Sequence, residues 1–224
     1  MTFSLVALCE QTGQFGMAIS SSSPAVAARC ANARAGVGAA ASQNVTNPGL
    51  GPLMLDALSR GLSAPQAVAA AIQAEAYPDY RQLLCIDTQG RTAVWSGDKA
   101  LGVWGAAEGH CVAAGGNMLA DPGVPRTMVR AFETSTGHLG DRLLVAMRAA
   151  LALGGEAGPV HSAGLLIVGD HPWPLAELRC DWEEGCPIAH ISRAWEVYKP
   201  QMAAYQTRAL DPRAAPSYGV PGDT

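Results

Sequence analysis

The chain has no run of about 18 apolar residues, the minimum for a membrane-spanning helix, and no basic segment leading into an apolar stretch at its start. A membrane span and a secretory signal are therefore not expected, and the default compartment is cytoplasmic. It has no cluster of lysines and arginines: the net charge is −4 and the pI about 5.7, which argues against nucleic acid as a partner. No Cys-x-x-Cys occurs among the six cysteines, Cys9, Cys30, Cys85, Cys111, Cys180 and Cys186. They read as reduced core residues rather than a disulfide framework or zinc site. The five histidines show no His-x-x-x-His spacing, so no metal is expected, and no cofactor. Gly-x-Ser-x-Gly, P-loop and dinucleotide fingerprints are missing too, which removes the common enzyme classes that depend on them.

What remains is an apolar, weakly charged chain of 224 residues, 49% apolar and 15% charged. That length suits one domain, over residues 1–210, with a Pro/Gly/Ser-rich and mobile tail at 211–224. The low charge suggests that some surface is covered in a homo-oligomer.

Along the chain, Thr2–Cys9 and 15–22 read as an antiparallel hairpin around Gly13, and 36–43 as a third strand built of small residues. Helices are expected at 52–60, ending at Gly61, and from Ser63, where Ser63-Ala64-Pro65-Gln66 has capping-box spacing. A second hairpin spans Arg81–Asp87 and 91–96, and a further strand 109–114 leads into Gly115-Gly116-Asn117. A helical pair follows at 123–134 and 139–153, ended by Gly154-Gly155. Strands return at Ser162–Val168 and 177–181. Ile188, Ile191, Trp195, Tyr198 and Met202 then recur at helical spacing, interrupted by Pro200. Strands grouped on either side of a helical pair imply an α+β sandwich with helices outside the sheets.

Thr2 stands immediately behind Met1 at the start of the first strand. If Met1 leaves, one residue carries both a hydroxyl nucleophile and an α-amine, which titrates near about 8 and can serve as its base. Threonine is also simply a good strand former, and position alone does not separate the two readings.

Thr2-Phe3-Ser4-Leu5-Val6-Ala7, the run Ala33-Arg34-Ala35-Gly36-Val37-Gly38-Ala39 through Gln43, Thr46-Asn47-Pro48 and Gly116-Asn117-Met118-Leu119 together resemble the family called domain of unknown function 1028. That family is grouped with the N-terminal nucleophile (Ntn) hydrolases, and the resemblance runs from Thr2 to about Asp181. It implies a four-layer αββα sandwich of Ntn-hydrolase type with two antiparallel sheets, and cleavage of a small amide or peptide-like substrate through an acyl-enzyme on Thr2. It names no substrate. Leu50, Ser22 and the segment 182–195 depart from the family pattern. A non-catalytic, oligomeric small-molecule binding protein on the same scaffold is the alternative.

Amide cleavage by Thr2 needs a cation near the amine and fixed donors for the oxyanion. Arg34, just before the Gly-rich strand, is the expected cation, against an ordinary surface arginine. Gly116 and Asn117 are the expected oxyanion donors, through backbone N–H groups turned inward and the Asn amide. A plain turn explains them equally. Ser22, Gln43, Asn44, Thr46 and Asn47 are expected to line the substrate pocket, with loop capping as the alternative.

Overall fold

A computed structural model describes residues 1–220. Strand β1 (Thr2–Cys9) turns at Gly13 into β2 (Gln14–Ser21). A short helix α1 (Val26–Cys30) and strand β3 (Ala31–Arg34) follow, then β4 (Gly38–Asn44). Helices α2 (Leu50–Ser59) and α3 (Ala64–Ala74) precede the hairpin β5 (Arg81–Asp87) and β6 (Thr92–Ser96). The hairpin β7 (Gly105–Gly109) and β8 (Val112–Asn117) leads to α4 (Val124–Thr134) and α5 (Leu139–Ala152). Strands β9 (Ser162–Val168) and β10 (Pro174–Cys180) and helices α6 (Pro187–Tyr198) and α7 (Met202–Leu210) complete the order. Of the expected tail, 212–214 form a single 3₁₀ turn, and 221–224 lie outside the described residues.

The strands form two antiparallel sheets, ordered β10-β9-β2-β1-β8-β7 and β3-β4-β5-β6. Alternation along β1 shows how they stack. Phe3, Leu5 and Ala7 point to one face, where Met128, Phe132, Leu143, Met147 and Trp195 from α4, α5 and α6 cover them. Val6 and Leu8 point to the other, against Ala39, Ala41, Leu84 and Ile86 of the second sheet. The far face of that sheet, Ala40, Leu83 and Cys85, is covered by Met54, Leu58, Ala67, Val68 and Ala71 of α2 and α3. This is the expected four-layer αββα sandwich. Each fully buried large side chain such as Phe3 contributes roughly 2–3 kcal/mol to it.

Small residues set how closely the layers meet. Alanines 39 to 41 let β4 lie between two layers, and Gly140 admits the Trp195 ring: a Cβ there would stand 2.5 Å from it. Ser63 caps α3 with Gln66 in the expected capping box. All six cysteines are free thiols, five of them buried.

Three expectations need correction. The third strand starts at Gly38, not Gly36, because 35–37 form the turn after β3; the run 26–34 carries a helix and a strand that small, unpatterned residues did not signal. Residues 109–114 are not one strand: a tight turn at His110-Cys111, with Cys111 at φ 56°, separates β7 from β8. Consequently Gly115-Gly116-Asn117 is the end of β8 and not a turn behind it. No helix among the described residues is long and apolar enough to cross a membrane.

Candidate active site

Thr2 opens the strand at the middle of the six-stranded sheet, between β2 and β8, directly opposite Asn117. Its side chain shares the face of Ser4 and Val6, so it points between the two sheets. At this end the space between the sheets changes from apolar to polar. The Ser4 hydroxyl donates to Gln43 Oε1 (2.7 Å), and Gln43 Nε2 to Gln82 Oε1 (2.8 Å) and the Gly115 carbonyl (3.2 Å). Asn117 Nδ2 donates to Gln82 Oε1 (3.3 Å), while Gln82 Nε2 donates to the Gly116 carbonyl (3.1 Å). Ser4, Gln43, Gln82 and Asn117 are fully buried, so these bonds replace water that the site excludes. One atom stays unmatched: Asn117 Oδ1, buried and without a partner.

Thr2 is 4% exposed, and its Oγ1 lies 3.4 Å from Ser21 Oγ; both hydroxyls donate to the Met1 carbonyl. Ser21 Oγ is 2.8 Å from Ser23 Oγ, to which Arg29 Nη2 donates at 2.8 Å. These contacts end to end put the Arg29 guanidinium within about 9 Å of Thr2 Oγ1. Arg29 otherwise binds the Pro24 carbonyl (2.9 Å), and no carboxylate among the described residues pairs with it.

Glu156 approaches from the other side. It sits in the segment after α5, 3% exposed, and both its oxygens accept the Ser22 N–H at 3.1 Å. Burial pushes its carboxyl up to about 7, against the downward pull of the chain's amino terminus, Ser22 and His161. His161 donates its backbone N–H to the Ser21 carbonyl (2.9 Å), and its ring stacks on half-exposed Trp182 at 4.4 Å.

The expected residues divide sharply. Thr2, Asn117 and Gln43 meet in one buried site, with Ser22 held beside it by Glu156. Gly116 does not present a turned-in N–H: it lies in an interior strand, paired with Phe3 on one side and Gly105 on the other. Its lack of a side chain instead makes room for Leu119, whose Cδ2 would stand 2.6 Å from a Cβ, as that of Gly115 does for Leu84. Arg34 is not brought to Thr2. It lies at the Gly38 end of β4, five residues from Gln43, or about 17 Å along the strand, in an exposed ion pair with Asp56 (2.8 Å).

Asn44, Thr46 and Asn47 act as loop ties. Asn44 accepts from the Leu101 N–H (3.2 Å) and donates to the Tyr80 carbonyl (2.7 Å); Thr46 touches Cys30 Sγ at 3.5 Å. Asn47 donates to Glu75 (2.6 Å) and, with Arg81, holds that carboxyl down to about 2. Ser21 falls in the serine run 20–23, which the sequence offers either as a means of orienting the amine or as a plain strand end; Arg29, Glu156 and His161 were not found from the sequence. A lone acid after Gly-Gly and an arginine in a small-residue run carry no local pattern, and only the packing of their segments against β2 assembles them.

A model described as "Family of unknown function (DUF1028)" matches residues 2–191. None of the curated proteins matches the chain. Among solved structures, the crystal structure of protein SPO2555 from Silicibacter pomeroyi is similar at 28% identity and TM-score 0.82, covering 88% of each chain. Anbu (ancestral beta-subunit) from Yersinia bercovieri is similar at 12% identity and TM-score 0.40, over 91% of this chain and 97% of that one. Anbu from Hyphomicrobium sp. strain MC1 gives 12% identity and TM-score 0.43 over the same shares.

Proposed function

The chain belongs to the family of unknown function DUF1028, and from that membership together with the setting of its second residue we propose that it is an N-terminal threonine amidohydrolase. Loss of Met1 frees the Thr2 amine. Thr2 Oγ1 then attacks the carbonyl carbon of a small amide or peptide-like substrate, and the α-amine takes the hydroxyl proton and hands it to the leaving amine as the C–N bond breaks. Water next cleaves the resulting ester on Thr2.

The observation that carries this reading is the setting of Thr2 itself: a hydroxyl at the first residue of a central strand, among hydroxyls and amides, opposite the unmatched Asn117 Oδ1. That oxygen suits the freed ammonium or a substrate N–H as its missing donor. The polarising role expected of Arg34 falls to Arg29, through Ser23 and Ser21. A fully charged carboxylate beside the amine would raise its pKa and block it as a base. Glu156, protonated up to about 7, does so least below neutrality.

Incubation of the Met-processed protein with a β-lactone tests the proposal. Stoichiometric acylation at Thr2 is expected; an unlabelled chain that lacks Met1 overturns it. One observation favours the second reading, an oligomeric binding protein: Thr2 is almost wholly covered, while cavities of about 430 and 360 Å³ open elsewhere, beside Arg34, His171 and Trp173 and beside Glu10, Ser135 and Arg142. Absence of labelling together with small-molecule binding selects it.

A further inference from the structure

At the pole of the sandwich opposite Thr2, two tight turns meet. Glu10 follows β1, and His110-Cys111 join β7 to β8; the Leu8 N–H donates to the Cys111 carbonyl (3.0 Å), which fixes one turn against the other. Glu10 Oε2 lies 2.6 Å from His110 Nε2, which lies 3.8 Å from Cys111 Sγ, and all three atoms fall within 4.8 Å of one another. A carboxylate, an imidazole and a thiol thus converge on one point, although 100 residues separate Glu10 from His110.

We propose that Glu10, His110 and Cys111 form a binding site for a borderline-soft divalent cation of the zinc type. Tetrahedral bonds of about 2.0 Å to nitrogen and oxygen and about 2.3 Å to sulfur require donor atoms about 3.3–3.6 Å apart. His110 and Cys111 already approach that spacing. Glu10 Oε2 and His110 Nε2 lie 2.6 Å apart, and a metal ion between them opens that contact by under about 1 Å. Glu10 and His110 are exposed while Cys111 is buried, so the fourth position faces solvent.

The surroundings fit a cation. Thiolate and carboxylate together neutralise a divalent charge, and Glu133 adds a negative group by accepting the His110 backbone N–H at 2.8 Å. Two features keep the sulfur in place. Cys111 holds a left-handed backbone that a residue with a side chain adopts at some cost, and Gly90 leaves space where a Cβ would stand 2.4 Å from Sγ. The thiol proton of Cys111 passes to solvent as the metal binds.

Titration of the full chain with Co²⁺, under reducing conditions, tests the site. One equivalent should bind with a thiolate-to-cobalt charge-transfer band in the near ultraviolet, and Zn²⁺ should displace it. Cys111→Ser should abolish the band, and Glu10→Gln and His110→Ala should each weaken Co²⁺ at least about tenfold, with circular dichroism confirming folded variants. No band, a band that survives Cys111→Ser, or affinities unchanged in Glu10→Gln and His110→Ala would each overturn the proposal. None of these outcomes depends on Thr2.

Discussion

Replacing Glu156 with glutamine offers a quantitative test of how the candidate site is built. The carboxyl titrates near 4.5 when free and at about 7 in the fold. A raised folded-state value means that stability is fully present below about pH 4.5 and is lost as pH rises through about 7. Each unit is worth about 1.4 kcal/mol, so the loss is on the order of 3 kcal/mol. With the residue 3% exposed, solvent screening removes little of it. Glutamine keeps one oxygen for the Ser22 N–H, carries no charge and has nearly the same shape. Urea unfolding of Glu156→Gln should therefore give nearly the same stability at about pH 5 and about pH 8. The unmodified protein should lose roughly 2–3 kcal/mol over that interval and fall below the variant at the alkaline end. If it loses nothing, or if the variant is the weaker at about pH 8, then burial does not dominate this carboxyl and its role beside the amine fails.

Other consequences are simpler. Thr2→Ala should abolish lactone labelling and cost no more than about 1.5 kcal/mol by urea unfolding, because one hydroxyl and its bonds are lost without a cavity in the core. Arg34→Ala should leave the rate of Thr2 labelling unchanged and stability within about 0.5 kcal/mol, as its ion pair is exposed. Arg29→Ala should slow labelling at least about threefold, and equal rates in the two variants would remove Arg29 from the site. Gly140→Ala should destabilise the fold by about 1–3 kcal/mol in thermal or urea unfolding, since the new Cβ would press on the Trp195 ring at 2.5 Å.

Local signals in the chain were enough for most elements. β1 and the hairpin after it, the Ser63–Gln66 cap, the α4–α5 pair and the strands β5 and β9 follow from alternation, capping spacing and helical periodicity, each a short-range rule. Where composition is uniform, those rules had nothing to grip. The run from Val26 to Arg34 divides into α1 and β3, and the break at His110-Cys111 interrupts what reads as continuous strand.

For the site, the sequence by itself determined that Thr2 begins a strand, and the matched motifs determined the family and with it the layered fold. A strand's alternation also dictates that Thr2, Ser4 and Val6 share a face. Which face that is, and what lies across from it, was decided only when the second sheet packed and placed Gln43 and Gln82 over it. Tertiary structure likewise left Arg34 paired with Asp56 away from Thr2, tied Arg29 to Ser23, returned Gly116 to the ladder and brought Glu156 and His161 against β2. It also joined Glu10 to His110 and Cys111. Charge, hydrogen bonding and metal ligation act over a few ångströms, whereas sequence spacing constrains distance only within a single helix or strand, so contacts between distant segments exist only once the layers close.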